Sequence, residues 1–222
     1  MSALKNQRLR RFRNARLYAI TDQAMTGGLG LGEIARRVFA GGCRLLQLRA
    51  KTTPFEELLA VGRAMTALAR EYEALLIVND NPYLAREIGA DGLHIGQNDV
   101  SVEIARDIVG SDLLIGLSTH NAEQVLRAQS QPLDYIAIGP VFATSSKPDA
   151  DPPLGVDAVR WVVAHSRHPV VAIGGITGEN ISDVVQTGVD AVAVISALMS
   201  ASDLTRATTE LLEQIRNAKK PA

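Results

Sequence analysis

The sequence lacks a second cysteine, a strong net charge and a long apolar run. The single cysteine, Cys43, excludes an intrachain disulfide and is compatible with a reducing compartment, so we expect a cytoplasmic protein. A formal net charge of −1 provides no global attraction to nucleic acid or to a membrane surface. No apolar run reaches the roughly 18 residues of a membrane span. We therefore expect small-molecule substrates as partners, with no nucleic acid and no membrane, and a homo-oligomer is compatible with the sequence.

The sequence also lacks a linker or a shift in composition that would divide its 222 residues into several domains. Residues 1–15 are basic but do not have the apolar core of a secretory signal. We interpret this segment as a solvated, partly ordered N-terminal extension. Residues 16–222 are then expected to form one catalytic domain.

Short apolar runs alternate with longer amphipathic stretches from residue 16 onward. The runs are nearly continuous in apolar residues, which is typical of parallel strands covered on both faces. Stretches such as 54–72 and 101–109 repeat apolar residues at helical spacing. Eight candidate strands are present: 16–21, 44–49, 74–79, 92–96, 113–118, 135–140, 169–175 and 191–196.

Eight successive strand–helix units predict an α/β fold, a single (β/α)8 TIM barrel at the short end of its usual ~250-residue size. An open doubly wound sheet is the alternative. It requires an early glycine fingerprint, and the glycines of residues 27–32 do not have that spacing.

Polar residues follow most of the candidate strands. In a barrel the carboxyl ends of all strands meet at one mouth, where barrel enzymes place their chemistry. The residues expected there are Gln47, Arg49, Lys51, Asn79, Asp80, His94, Gln97, Asp99, Ser118, His120, Thr144, Ser145, Ser146, Lys147, Gly174, Gly175, Ile195 and Ser196.

Two carboxylates in this set, Asp80 and Asp99, follow adjacent strands. Neighbouring strands lie about 4.8 Å apart, so the two side chains can share one cation. Oxygen ligands without a cysteine cluster favour Mg²⁺, which uses one or two carboxylates together with phosphate oxygens and waters. Helix capping is the alternative interpretation of each acid taken alone.

The cations and the glycine-rich strand ends indicate a phosphorylated substrate. Arg49 offers a planar fork for phosphate, while Lys51 and Lys147 offer point charges. Gly175 ends the seventh candidate strand, close to where barrels often bind phosphate through loop amides. The long segment 139–155 is interpreted as a lid that brings Thr144, Ser146 and Lys147 over the site.

The sequence shows no identifiable pairing of a nucleophile with a base. We expect His94 to be a packed core residue, whereas His120 is either an acid–base group or a residue at a helix start. Catalysis by electrostatics and positioning fits this inventory better than covalent catalysis.

The strand-end motifs resemble those of thiamine phosphate synthases. From about Leu17 to the C-terminal helix they read QLRAK, VND, DGLHIGQND, GLSTH, GPVFATSSK, AIGGI and AVISA, in order. The resemblance implies a transferase that joins a pyrimidine methyl diphosphate to a thiazole ethyl phosphate, or its carboxylate. It implies a dissociative reaction, with thiamine phosphate and pyrophosphate as products.

The resemblance also implies a role for each matching residue. Asp80 and Asp99 would bind Mg²⁺, and Arg49, Lys51, Ser118 and Lys147 would be catalytic. The pyrimidine diphosphate would be bound by Gln47, Arg49, Lys51, Asn79, Ser118 and Lys147. The thiazole phosphate would be bound by Thr144, Ser146, Gly175, Ile195 and Ser196.

Two departures from the family pattern stand in the sequence. Ala50 occupies a position where the family usually has Glu, and the lid reads VFATSSK where a Tyr-Pro pair and two threonines are common. Two alternative functions remain at this point. One is a thiazole tautomerase-like isomerase that would use His120, and the other is a non-catalytic phosphate-binding barrel.

Overall fold

Eight parallel strands form a closed barrel in the computed structural model, which describes residues 2–50, 52–144, 146 and 151–218. Each strand pairs with its sequence neighbours, and the last pairs with the first. The strands are β1 Leu17–Ile20, β2 Leu45–Leu48, β3 Leu75–Asn79, β4 Gly92–Ile95, β5 Leu114–Thr119, β6 Tyr135–Ile138, β7 Val170–Ile173 and β8 Ala191–Val194. The predicted TIM barrel is confirmed, and the alternative open sheet is wrong.

A helical layer surrounds the barrel because each strand is followed by a helix that covers its outer face. The helices are α1 Ala3–Ala15, α2 Leu31–Ala40, α3 Phe55–Glu71, α4 Pro82–Glu87, α5 Val102–Val109, α6 Ala122–Ala128, α7 Gly155–His165, α8 Ile181–Val185, α9 Ser196–Met199 and α10 Leu204–Ala218. Ser101 and Asn121 cap α5 and α6 by accepting backbone N–H bonds. None of the helices in these described ranges is long and apolar enough to span a membrane.

The N-terminal segment packs against the end of the barrel opposite the mouth. Phe12 of α1 is fully buried and joins the cluster of side chains that fills the barrel interior. Lys5 forms an ion pair of 2.8 Å with Asp134, and Arg8 forms one of 2.9 Å with Asp91. The expectation of a solvated, partly ordered extension is therefore wrong for residues 3–15, because α1 forms a helix with a buried face.

Side chains along each strand alternate between two separate clusters. Leu45 belongs to the interior cluster with Tyr18 and Tyr135, whereas the next residue, Leu46, belongs to the cluster under the helices. The two-residue period of a strand explains this separation. By the same period Arg49, Asn79 and Ser118 continue the inward-facing rows at the mouth.

Candidate active site

The carboxylate pair predicted from the strand ends is brought together at the mouth. The Asp99 side chain lies within hydrogen-bonding reach of the Asp80 carboxyl, and Oδ2 of Asp99 accepts a 2.7 Å bond from the Gly96 N–H. Partial shielding from water, followed by the hydrogen bond and charge of Asp99, raises the pKa of Asp80 to about 6. Asn79 and Arg49 oppose this increase. The mouth thus holds two adjacent acids that a cation would stabilise.

Asp80 also has an unusual backbone conformation. Its φ of 63° lies in the left-handed region, which non-glycine residues seldom adopt. Its N–H donates a 2.8 Å bond to the His94 carbonyl, and this bond holds the residue after β3 against β4. Strained backbone of this kind is concentrated at functional sites. Here it turns the Asp80 side chain away from the strand row and toward the Asp99 loop.

Arg49 is fixed at the mouth by two residues that directly follow β1, Thr21 and Asp22, neither of which was predicted to belong to the site. Nη1 of Arg49 lies 2.9 Å from Oδ2 of Asp22. The Thr21 hydroxyl donates to the Arg49 carbonyl and accepts from the Arg49 N–H, at 2.9 Å each. A guanidinium has five N–H donors, so several remain for an anion while one holds Asp22. The ion pair with Asp22 therefore orients the Arg49 guanidinium and still leaves N–H donors for an anion.

A small cavity lies between the ends of β7 and β8 and the following loops. All five residues predicted to receive the thiazole phosphate line it: Thr144, Ser146, Gly175, Ile195 and Ser196. Gly175 has a φ of 64°, and a Cβ there would overlap the Ala143 carbonyl oxygen and Phe142. Glycine therefore permits the backbone to turn and the loop after β6 to pack against it.

The segment interpreted as a lid has two ends that are joined by backbone hydrogen bonds. Leu154 N–H donates to the Pro140 carbonyl at 2.9 Å, and Gly155 N–H donates to Val141 at 3.0 Å. Phe142 N–H donates to Gly174 at 3.0 Å. These backbone hydrogen bonds hold Thr144 beside the cavity. Its Oγ1 accepts a 3.3 Å bond from the Ser146 N–H. Residue 145, Lys51 and Lys147 lie outside the described residues, and their predicted roles stay predictions.

Gln47 and Ser118 stand on opposite sides of the barrel and are joined by buried polar side chains. Gln47 contacts Tyr18, and Ser118 contacts His94. Burial lowers the pKa of His94 to about 4, with Asp99 opposing the shift, so this imidazole is neutral at physiological pH. Burial raises the pKa of both Tyr18 and Tyr135, which stay protonated phenols. The expectation that His94 is a packed core residue is confirmed, but sequence reasoning missed its bond to Ser118.

His120 lies at the start of α6, which is one of the two positions considered for it. Its backbone N–H donates a 2.6 Å bond to Oε1 of Gln124, and its Nδ1 lies 2.7 Å from the Gly139 carbonyl oxygen. These bonds tie the side chain to the loop after β6. The geometry favours a structural role at the helix start over acid–base catalysis.

Comparison with known proteins connects the whole barrel to one family. The family model described as thiamine monophosphate synthase matches residues 17–198. A thiamine-phosphate synthase of Methanoregula boonei is 44% identical over 203 residues, which are 91% of this chain and 94% of that protein. One of Dictyoglomus thermophilum is 34% identical over 218 residues, covering 97% and 98%. The solved thiamine phosphate pyrophosphorylase of Pyrococcus furiosus superposes with a TM-score of 0.86 at 36% identity, covering 95% of this chain and 99% of that one.

Proposed function

The chain belongs to the thiamine monophosphate synthase family, and on that premise we propose how its barrel mouth performs the transferase reaction. The reaction condenses 4-amino-2-methyl-5-(diphosphomethyl)pyrimidine with 4-methyl-5-(2-phosphoethyl)thiazole or its carboxylate. Its products are thiamine phosphate and pyrophosphate. The arrangement that supports this assignment is a mouth with two unlike ends. At the acidic end, Arg49, Asp80 and Asp99 follow β2 to β4. At the cavity end, backbone groups and hydroxyls line the small cavity that follows β7 and β8.

The acidic end fits Mg²⁺. Asp99 is close enough to disfavour the charge of Asp80, and a divalent cation would remove that cost. The described residues contain no group of three or more His, Cys, Asp and Glu side chains suited to a metal. A hard cation that takes its other ligands from substrate phosphate and water fits a donor set of two carboxylates. When bound, Mg²⁺ would neutralise charge on the diphosphate and so improve it as a leaving group.

The residues of the chain bind and orient the diphosphate. Arg49 presents its free N–H donors, and Lys51 and Lys147 would add charge to stabilise the departing pyrophosphate. Gln47, Asn79 and Ser118 would hold the pyrimidine at the inner wall of the mouth. As the carbon–oxygen bond breaks, its electron pair leaves with the pyrophosphate.

The cavity end binds the second substrate. Thr144, Ser146 and Ser196 would hydrogen-bond the thiazole phosphate together with the backbone at Gly175 and Ile195. The thiazole nitrogen then supplies its lone pair to the electron-deficient pyrimidine methylene carbon, which forms the new carbon–nitrogen bond. The segment after β6 would keep water from that carbon.

Kinetics with each half varied in turn tests this two-ended site. Arg49→Met should raise the KM for the pyrimidine diphosphate roughly tenfold and leave the KM for the thiazole phosphate unchanged. Ser196→Ala should do the reverse, by roughly threefold to tenfold. Arg63→Met, on the exposed face of α3, and Ser200→Ala, at the end of α9, are matched controls. Equal effects of Arg49→Met and Ser196→Ala on both KM values would contradict two separate ends.

A cytoplasmic location is part of the same proposal. It is supported by Cys43, which is a buried free thiol.

A further inference from the structure

A chain of hydrogen bonds crosses the barrel interior from β2 to β5. Nε2 of Gln47 lies 2.9 Å from the Tyr18 hydroxyl, which lies 3.0 Å from the Tyr135 hydroxyl. That hydroxyl lies 3.0 Å from Nδ1 of His94, and Nε2 of His94 lies 2.9 Å from Oγ of Ser118. The three middle members are almost fully buried. Gln47 at one end is itself buried, whereas Ser118 at the other end is half-buried at the mouth.

The chain takes one direction when the amide nitrogen of Gln47, which cannot accept, is its first donor. The Gln47 amide nitrogen donates to Tyr18, so the single Tyr18 O–H donates onward to Tyr135. Tyr135 already accepts there, and its own O–H therefore donates to Nδ1 of His94. With Nδ1 accepting, the imidazole is neutral and carries its proton on Nε2. Nε2–H donates to Ser118, and this leaves the Ser118 O–H directed away from the interior.

The surrounding packing holds the middle of the chain in place. A Cβ at Gly116 would overlap the Tyr135 ring, so glycine creates the space that the phenol occupies. The Phe12 ring packs on Tyr135 from the other side, with centroids 4.3 Å apart. The His94 ring stacks against Tyr135 with centroids 5.5 Å apart. The hydroxyl positions are thus set by packed rings rather than by flexible side chains.

We propose that His94 and Tyr135 are positioning residues that fix Ser118 as a hydrogen-bond donor to the substrate in the mouth. The inference rests on the proposed function, in which Ser118 contacts the pyrimidine diphosphate. Without the bond from Nε2–H, the Ser118 hydroxyl would rotate and could donate to the imidazole instead. The chain therefore orients the hydroxyl before the substrate arrives, which removes an ordering cost from the reaction.

The tautomer of His94 is the first measurement. Nitrogen NMR of the full chain labelled at histidine resolves four side chains, and a His94→Gln variant assigns the signal. We expect the unprotonated type of shift at Nδ1 and the protonated type at Nε2 without any substrate. A proton on Nδ1 would mean that the Gln47 amide is turned and the chain runs in reverse. That result would overturn the proposal.

Kinetics of Tyr135→Phe is the second measurement, since this variant keeps the ring and removes the bond to Nδ1. We expect kcat/KM for the pyrimidine diphosphate to fall roughly tenfold, with the KM for the thiazole phosphate unchanged. His94→Gln retains an amide donor toward Ser118 and should keep more activity than His94→Leu. Tyr72→Phe, a half-buried phenol on the outside of the barrel, is the matched control. Unchanged kinetics in Tyr135→Phe would overturn the positioning role.

A double-mutant comparison separates positioning from general support of the fold. In a Ser118→Ala background, Tyr135→Phe should have no further effect on kcat/KM beyond about twofold. An undiminished tenfold loss in that background would show that Tyr135 acts elsewhere, and the proposal would fail. A wild-type chain that does not turn over the two halves contradicts the proposed function instead. The tautomer is measured without substrate, so the two failures are distinguishable.

Discussion

Among single residues, Asp80 combines a strained backbone with an unfavourable charge. Its φ of 63° is compatible with Asn as well as Asp, since both tolerate the left-handed region. Asn79, the residue before it, ends β3 and faces the mouth. In the sequence VND, the Asn79 side chain thus points inward to the mouth, whereas the Asp80 side chain points toward Asp99.

The raised pKa of Asp80 predicts how stability depends on pH without Mg²⁺. The folded pKa is about 6 and the unfolded value is near 4, so the folded state binds more protons between them. Stability from this group is therefore present at low pH and lost as the pH rises through about 6. Asp80→Asn should raise the Tm of the metal-free protein above that pH, with a gain below about 1 kcal/mol because the site is open to solvent.

The check is thermal unfolding of wild type and Asp80→Asn across this pH range in chelator. Asp107→Asn, an exposed acid on α5, is the control. A stabilisation by Asp80→Asn that grows as the pH falls would have the wrong sign and would refute the account of this carboxyl.

Removing either carboxylate should prevent the acidic end of the site from holding Mg²⁺. We expect Asp80→Asn and Asp99→Asn each to lower Mg²⁺-dependent kcat at least about 100-fold, because charge on the leaving pyrophosphate is then poorly stabilised. Steady-state rates over a Mg²⁺ titration, with circular dichroism to verify the fold, measure this effect. Normal rates in both variants would remove the shared-ion proposal.

Among the elements, α1 contributes to the fold through one buried ring and two ion pairs. Phe12 closes the barrel interior at the end opposite the mouth, and Lys5 and Arg8 bind acids of the strand-preceding turns. Asp134 also accepts from Arg106 and from the Ile115 N–H. The helix is therefore integrated with β5 and β6.

Truncating Phe12 should destabilise the whole barrel. We expect Phe12→Ala to lower the free energy of unfolding by about 3–5 kcal/mol through lost burial and the cavity left beside Tyr135. Urea unfolding measures the change, and Leu4→Ala on the exposed part of the same helix is the control. If Phe12→Ala costs no more than Leu4→Ala, then α1 does not close the barrel as described.

The strands could be predicted from sequence because parallel strands buried on both faces are almost uniformly apolar. Asp80, Asp99 and Gly175 could be predicted because barrel topology brings strand ends together. The helix α1 could not, since its exposed face is strongly basic and its partners Asp91 and Asp134 are distant in sequence. Asp22 was missed because it follows β1 at the start of a glycine-rich loop, where an acid resembles an ordinary turn residue.

The interior chain was missed for a related reason. Tyr18 and Tyr135 stand in apolar strands where tyrosine is read as a core residue, and only the closed barrel places their hydroxyls in contact. Gly116 could have provided a signal, because a glycine inside a strand marks a close approach by another group.

In the whole molecule, the proposed reaction uses the barrel as a frame that brings two phosphorylated substrates together end to end. The acidic end follows β2 to β4, and the cavity end follows β7 and β8 on the other side of the same mouth. This arrangement converts an encounter of two substrates into a reaction between neighbours.

The most direct test incubates the purified full chain with both phosphorylated halves and quantifies thiamine phosphate and pyrophosphate together. We predict equal amounts of the two products with Mg²⁺, almost none in chelator, and none when either half is omitted. Absence of thiamine phosphate under every condition, or pyrophosphate release without coupling to the thiazole, would contradict this prediction.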